Sequence, residues 1–225
     1  MSGLHKDIFP SDWTAKKCME EMHKSMDKPT VYFFYQQYGT AAEWAERIGD
    51  YRRSLAQWSI VCYVVGLGDR HASNVLFEPA TARFVHIDLG MILEYSKRSL
   101  PIPERVPFRM TRDILDPLVA DNIKGRLTQL AVDTLRPLRE KSNVLLGVAS
   151  VLLRETMSNF EEAAPSEKGG TFVSETAMGR LRDKLAGTDV TSAPQAEEEQ
   201  VKRLIHEATD FHNLATIFHG WMPFL

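Results

Sequence analysis

Asn74 and Asp88 stand at the two ends of a pattern that reads as a β-hairpin: Asn74-Val-Leu-Phe-Glu, a Pro79-Ala-Thr-Ala turn, then Arg83-Phe-Val-His-Ile-Asp88. An antiparallel hairpin returns the chain to its starting point, so the pattern predicts that these two side chains meet at one mouth. A carboxamide oxygen and a carboxylate are hard ligands suited to Mg²⁺, which takes one or two protein oxygens and completes its shell with water and substrate phosphates. The pair therefore points to nucleotide phosphoryl transfer.

Asp69 lies five residues before Asn74. Protein kinases separate their catalytic-loop Asp from a metal-binding Asn by the same interval, and follow it with an Asp-x-Gly whose Asp holds metal. Here Asp88-Leu89-Gly90 has that form. The order around the Asp differs: those enzymes read His-Arg-Asp, and this chain reads Asp69-Arg70-His71. His71 is then placed to act on the substrate, as an imidazolium that stabilises developing charge or as a neutral base. The alternative is that it orients Asp69 through a hydrogen bond.

Gly66-Leu-Gly-Asp-Arg-His-Ala-Ser-Asn74 and His86-Ile-Asp-Leu-Gly90 resemble the catalytic and metal-binding loops of the phosphatidylinositol 3-kinase-related protein kinases. Pro101-Ile-Pro-Glu-Arg-Val-Pro-Phe-Arg-Met-Thr-Arg-Asp113 is similar to the activation loop and following helix of that family's ataxia-telangiectasia-mutated branch. Tyr51-Arg-Arg-Ser-Leu-Ala resembles its helix entering the catalytic loop, and Gln200–Asp210 with Asn213–Met222 resembles the closing FATC segment. The resemblance covers nearly the whole chain and is weakest at 155–175. It implies an ATP- and Mg²⁺-dependent serine/threonine kinase of DNA-damage and telomere signalling, acting on protein Ser or Thr followed by Gln, in the nucleus. Asp69 would be the catalytic aspartate with His71 its partner, and Asn74 and Asp88 the Mg²⁺ ligands. Leu76 and Ile87 would form the apolar floor under the adenine; without the family they read equally well as core strand residues.

The elements that must position these groups are mostly helical. Helices are expected at 12–27, 41–65, 111–137 (interrupted near Gly125), 139–158, 174–186 and 196–209, while 29–40 is ambiguous between helix and strand. Gly66 and Gly68 end the second of these in a loop. Pro101, Pro103 and Pro107 keep 90–110 extended. The fold expected is α+β and predominantly helical: the C-terminal lobe of a PI3/PI4-kinase-like protein kinase with a small β-hairpin. Its divisions are a lobe at 1–160, a linker or regulatory segment with a short helix at 161–192, and a FATC-like tail at 193–225.

Composition narrows the alternatives. A net charge of −3 gives no reason to expect direct nucleic-acid binding, and the apolar stretches at 59–67 and 144–153 are too short to span a bilayer. Only Cys18 and Cys62 occur, which argues for a reducing compartment and a soluble intracellular protein. The histidines show no zinc-ligand spacing. Within 91–107, Lys97, Arg98 and Arg105 are offset by Glu94 and Glu104, too sparse a basic set for an inositol phosphate, which favours a protein substrate over a phosphoinositide. Neither a phosphate-binding glycine loop nor a strand lysine is found before residue 50. The chain is thus expected to be part of a larger kinase, partnered by an N-lobe and a helical-repeat body, and inactive alone. A truncated interaction module is the non-enzymatic alternative. Trp13, Trp44 and Trp58 read as core; Trp221 either packs back on the lobe or meets a partner or membrane surface.

Overall fold

The computed structural model of the chain describes residue 17 and residues 29–96, 104–118, 125–163 and 169–214. Its axis is a helix that the sequence caps at both ends. The Thr40 hydroxyl accepts the amide of Glu43 at 3.2 Å, starting the helix Ala41–Val65 (α2). Gly66 stops it at φ 61°, with its N–H on Tyr63 and that of Leu67 on Cys62. These are the two bonds of a Schellman turn, which needs a residue free to adopt the left-handed region. Along α2, Ile48, Tyr51, Leu55, Ser59 and Cys62 recur at three- and four-residue spacing and are all buried.

Ahead of it, residues 29–40 resolve into a helix, Pro29–Gln37 (α1). Its β-branched and aromatic run suits a strand, but Phe33 and Phe34 are drawn into an aromatic cluster. Phe34 meets Tyr51 edge-on at 5.3 Å between ring centroids, and Phe33 stacks on Phe77 at 6.1 Å. Edge-to-face pairs add to area burial, and here tertiary packing overrides propensity. The hairpin forms as expected, from Val75–Phe77 (β1) and Phe84–His86 (β2), antiparallel with Val75 opposite His86. It is seated on α2 through Ser54, whose hydroxyl accepts the amide of Phe84 at 2.8 Å, and its turn is held by the Tyr38 hydroxyl on the Pro79 carbonyl at 2.9 Å.

Beyond the activation segment come Arg112–Leu115 (α3), Arg126–Glu140 (α4), Ser142–Ala163 (α5), Gly169–Ala186 (α6), Glu197–Thr209 (α7) and Phe211–Leu214 (α8). The helix α4 runs past Pro137 to Glu140, because Leu135 beneath it is fully buried and the proline falls in the last turn. Around the start of the segment expected as a linker with a short helix at 161–192, α5 continues to Ala163 and α6 begins at Gly169, earlier than the expected 174, the two packing side by side. Against α2 lie α4 and β2, and α7 closes over α4. The expected helix at 12–27, with Trp13, and the tail around Trp221 lie outside the described residues. Among the described residues, no helix is long and apolar enough to cross a membrane.

Candidate active site

Three hydrogen-bonded approaches gather Asp69, Asn74 and Asp88. First, the Asn74 carboxamide donates to the Asp69 carbonyl at 2.9 Å. That commits the donor end of the amide; among the described residues its oxygen carries no hydrogen bond and is the end left for a cation. Second, the Ile87 amide donates to the Asn74 carbonyl at 3.1 Å, closing the hairpin mouth. Third, the Arg70 guanidinium, 2% exposed, donates to the carbonyls of Gly68 at 2.7 Å, Ile87 at 2.7 Å and Asp88 at 2.6 Å. One side chain thus ties the loop at 66–74 to the loop at 86–90.

Both aspartates have left-handed backbones, Asp69 at φ 58° and Asp88 at φ 54°. For a non-glycine residue this costs energy and persists where the surroundings enforce it. The Asp88 carboxylate is exposed, with only the Gly90 amide close, at 3.4 Å. The donor set is therefore a buried carboxamide and an exposed carboxylate, both oxygen ligands. It fits a cation that keeps much of its shell for water and phosphate. Among the described residues, no group of three or more His, Cys, Asp or Glu side chains forms a denser metal cluster.

His71 precedes the single turn Ala72–Asn74 and receives the Asn74 amide on its carbonyl at 3.0 Å. Its imidazole makes no hydrogen bond to Asp69. Leu76 and Ile87 are 48% and 40% exposed, and Leu89 is 50% exposed. Strand alternation turns Val75 and Phe77 toward the core and Leu76 outward. These are apolar surfaces beside the mouth rather than core residues.

His86, in the motif but without a role assigned from sequence, supports the site from below. Its ring lies by the Asn74 backbone and packs edge-on against Trp58 at 5.1 Å; Nδ1 has no partner among the described residues. Burial, reinforced by the Arg70 charge, lowers its pKa to about 4, so it is neutral at neutral pH. A histidine whose folded pKa is lowered confers stability that is complete above the unfolded value near 6.5 and is lost as pH falls toward 4. The chain is expected to lose about 2 kcal/mol from this group between pH 7 and pH 5. The half-buried carboxyls of Glu104 and Asp113, raised by desolvation, titrate in the opposite sense. The readout is therefore the difference in urea-unfolding stability between wild type and His86→Phe. A difference that stays flat from pH 7 to pH 5 would refute the assignment.

Glu94 and Glu104, expected to offset surface cations, instead turn inward. Glu94 pairs with Arg180 at 2.5 Å and Lys184 at 2.7 Å, and Lys184 also donates to the Tyr63 carbonyl at 2.8 Å. From α7, the fully buried Gln200 donates to the Tyr63 hydroxyl at 2.9 Å and the Lys184 carbonyl at 3.0 Å. Tyr63, Glu94, Arg180 and Lys184 line a cavity of about 350 Å³ that includes Gly68 and Arg203 but neither Asn74 nor Asp88. Glu94 pairs there with Arg180 and Lys184, and Asp189 and Glu207 pair with Arg203, so the cavity joins α6 and α7 to the loops rather than forming the mouth. Of the basic residues in the activation segment, Arg105 is exposed, while Lys97 and Arg98 lie outside the described residues.

A helical lobe with a hairpin closing beside an Asp-Arg-His loop has the arrangement of the kinase class. The chain matches the phosphatidylinositol 3- and 4-kinase family over residues 5–162 and the FATC domain over residues 194–225, and it belongs to that kinase family. It is 55% identical over 99% of its length to the serine/threonine-protein kinase ATM of Caenorhabditis elegans, covering 10% of that protein. It is 33% identical over 98% of its length to the serine/threonine-protein kinase TEL1 of Debaryomyces hansenii, covering 8% of it. The FAT and kinase domain of CtTel1 superposes with a TM-score of 0.74 at 27% identity, over 98% of this chain and 16% of that one. The Tel1 kinase butterfly symmetric dimer gives 0.78 at 29% identity, over 97% of this chain and 9% of that one. The chain thus spans about a tenth of the length of its curated relatives.

Proposed function

We infer that this chain is the catalytic lobe of a Mg²⁺- and ATP-dependent kinase that phosphorylates protein Ser or Thr, by resemblance Ser-Gln or Thr-Gln, in nuclear DNA-damage and telomere signalling. The observation that supports the reading is the commitment of the Asn74 donor end to Asp69, which leaves its oxygen available to a cation beside the loop of Asp88. Bound there by Asn74 and Asp88, magnesium would neutralise phosphate charge. Asp69 orients the attacking hydroxyl and accepts its proton, while Leu76 and Ile87 give the adenine an apolar surface. His71, with no hydrogen bond to Asp69, faces the substrate rather than orienting the aspartate.

The upper half of the nucleotide cleft belongs to an upstream N-lobe, with a helical-repeat body beyond it. Catalysis relies on a closed, preorganised site, so the 225-residue chain alone should be near background. The test is transfer of radiolabelled γ-phosphate from Mg²⁺-ATP to a Ser-Gln peptide, by the chain and by the chain joined to the upstream kinase region of its nematode relative. The joined protein should phosphorylate the peptide, and Asp88→Ala should reduce transfer by at least about 100-fold. Equal transfer by Asp88→Ala would remove Asp88 from the reaction. Preference for phosphatidylinositol vesicles over peptide would replace the protein-kinase reading with a lipid-kinase one, against which the sparse cations of 91–107 already argue.

A further inference from the structure

We propose that Glu104 is a positioning residue for catalysis: its carboxylate holds the Asp69 backbone in the left-handed conformation from which Asp69 works, and so makes that geometry depend on a seated activation segment. The inference rests on the reading of Asp69 as the catalytic carboxylate.

The two peptide groups flanking the Asp69 α-carbon are both gripped. The Asp69 amide donates to Glu104 Oε1 at 3.0 Å, and its carbonyl accepts from Asn74 at 2.9 Å. Between these anchors φ is 58°, a value that an aspartate adopts only at a cost unless the hydrogen bonds on either side enforce it. Asn74 comes from the same loop. Glu104 reaches in from 35 residues away, so it alone makes the Asp69 conformation conditional on another segment.

Gly68 supplies an independent sign that this approach is built in. A Cβ on Gly68 would fall 1.8 Å from Ser96 Oγ and 2.1 Å from Glu104 Oε2. Both side chains occupy the space a larger residue would need, and Gly68 is glycine for that reason. Ser96, 2% exposed, also hydrogen-bonds the Glu104 carboxylate. Burial pushes the Glu104 carboxyl above the usual range, and the neighbouring Asp69 charge adds to this. An acid partly withdrawn from water beside another acid is costly and would not persist as filler; its two accepted hydrogen bonds offset the cost. The role requires an acceptor at this position rather than a charge, so glutamine should serve.

The segment that carries Glu104 is itself anchored. Val106, Phe108 and Met110 are buried, and Arg109 donates to the Arg70 carbonyl at 3.4 Å. Seating these residues on the lobe brings the carboxylate to Asp69, and lifting them withdraws it.

The test has two arms. In the 225-residue chain, hydrogen exchange of the Asp69 amide is followed by NMR in wild type, Glu104→Ala, Glu104→Asp and Glu104→Gln. Loss of a hydrogen bond to a carboxylate should speed exchange by about tenfold to a hundredfold in the Ala variant. The Asp variant, too short to reach, should behave likewise, which keeps the test open if Ala fails to fold. The Gln variant should stay within about threefold of wild type. In the joined kinase, Glu104→Ala should lower kcat about tenfold or more with the KM for ATP little changed, and Glu104→Gln should restore it. Unchanged exchange in both the Ala and Asp variants would overturn the proposal. So would faster exchange with undiminished kcat while Asp88→Ala abolishes transfer. If Asp88→Ala does not impair transfer, or the joined wild type transfers nothing, the functional reading fails instead, and the exchange arm still decides whether Glu104 holds Asp69.

Discussion

Arg70→Met will destabilise the lobe by about 3–5 kcal/mol, as expected when a buried charged donor leaves its acceptors stranded. The guanidinium is 2% exposed and serves the carbonyls of Gly68, Ile87 and Asp88 at 2.6 to 2.7 Å. Desolvation lowers its pKa, while the nearby charges of Asp69, Asp88 and Glu104 act the other way and keep it cationic. Methionine fills much of the same volume but donates nothing, so three carbonyls on two loops lose partners together. Arg70→Lys should rescue little, because an ammonium cannot reproduce a planar fork spread across three acceptors on two loops. Urea unfolding of both variants measures the effect. A midpoint within experimental scatter of wild type for Arg70→Met would show that the bonds to the two loops carry no net stability.

In the joined kinase, Asp69→Asn should cut kcat by about 10²- to 10⁴-fold, the range typical of a lost general base, with the KM for ATP nearly unchanged. Asparagine is nearly isosteric and tolerates the left-handed backbone that Asp69 holds at φ 58°, so this variant isolates charge from shape. His71→Ala provides the companion measurement. A loss comparable to that of Asp69→Asn would mean that the imidazole acts on the reacting groups. A loss of a fewfold would assign it to binding. An Asp69→Asn enzyme within threefold of wild type would displace Asp69 from the mechanism.

The site's residues were legible in the sequence where chemistry and spacing coincide. Asp69, Asn74 and Asp88 occur at kinase intervals on a loop and hairpin whose turn and strand residues are plain. The helix α2 was legible to the residue because Thr40 and Gly66 punctuate a long three- and four-residue apolar rhythm. What holds those groups in place was hidden. Arg70 meets carbonyls 17 and 18 residues away, and Glu104 meets an amide 35 residues away. Such partners depend on how the loops approach and leave no local periodicity. The strand-like aromatics of α1 left 29–40 undecided, and α6 begins earlier than the expected 174, for a related reason. Local propensity there is weaker than the packing of Phe34 on Tyr51, or of α6 on α5.

The network joining Glu94, Lys184 and Gln200 also has a consequence for biosynthesis. Tyr63 and Glu94 leave the ribosome early, yet their polar partners Lys184 and Gln200 follow about a hundred residues later. At roughly 5–20 residues per second, that is a delay on the order of 5–20 s. During it the helix feeding the catalytic loop and the segment after Asp88 already exist, but they lack the groups that satisfy them. Nascent chains paused before residue 184 should therefore engage chaperones through this face, and should release them once α7 has emerged.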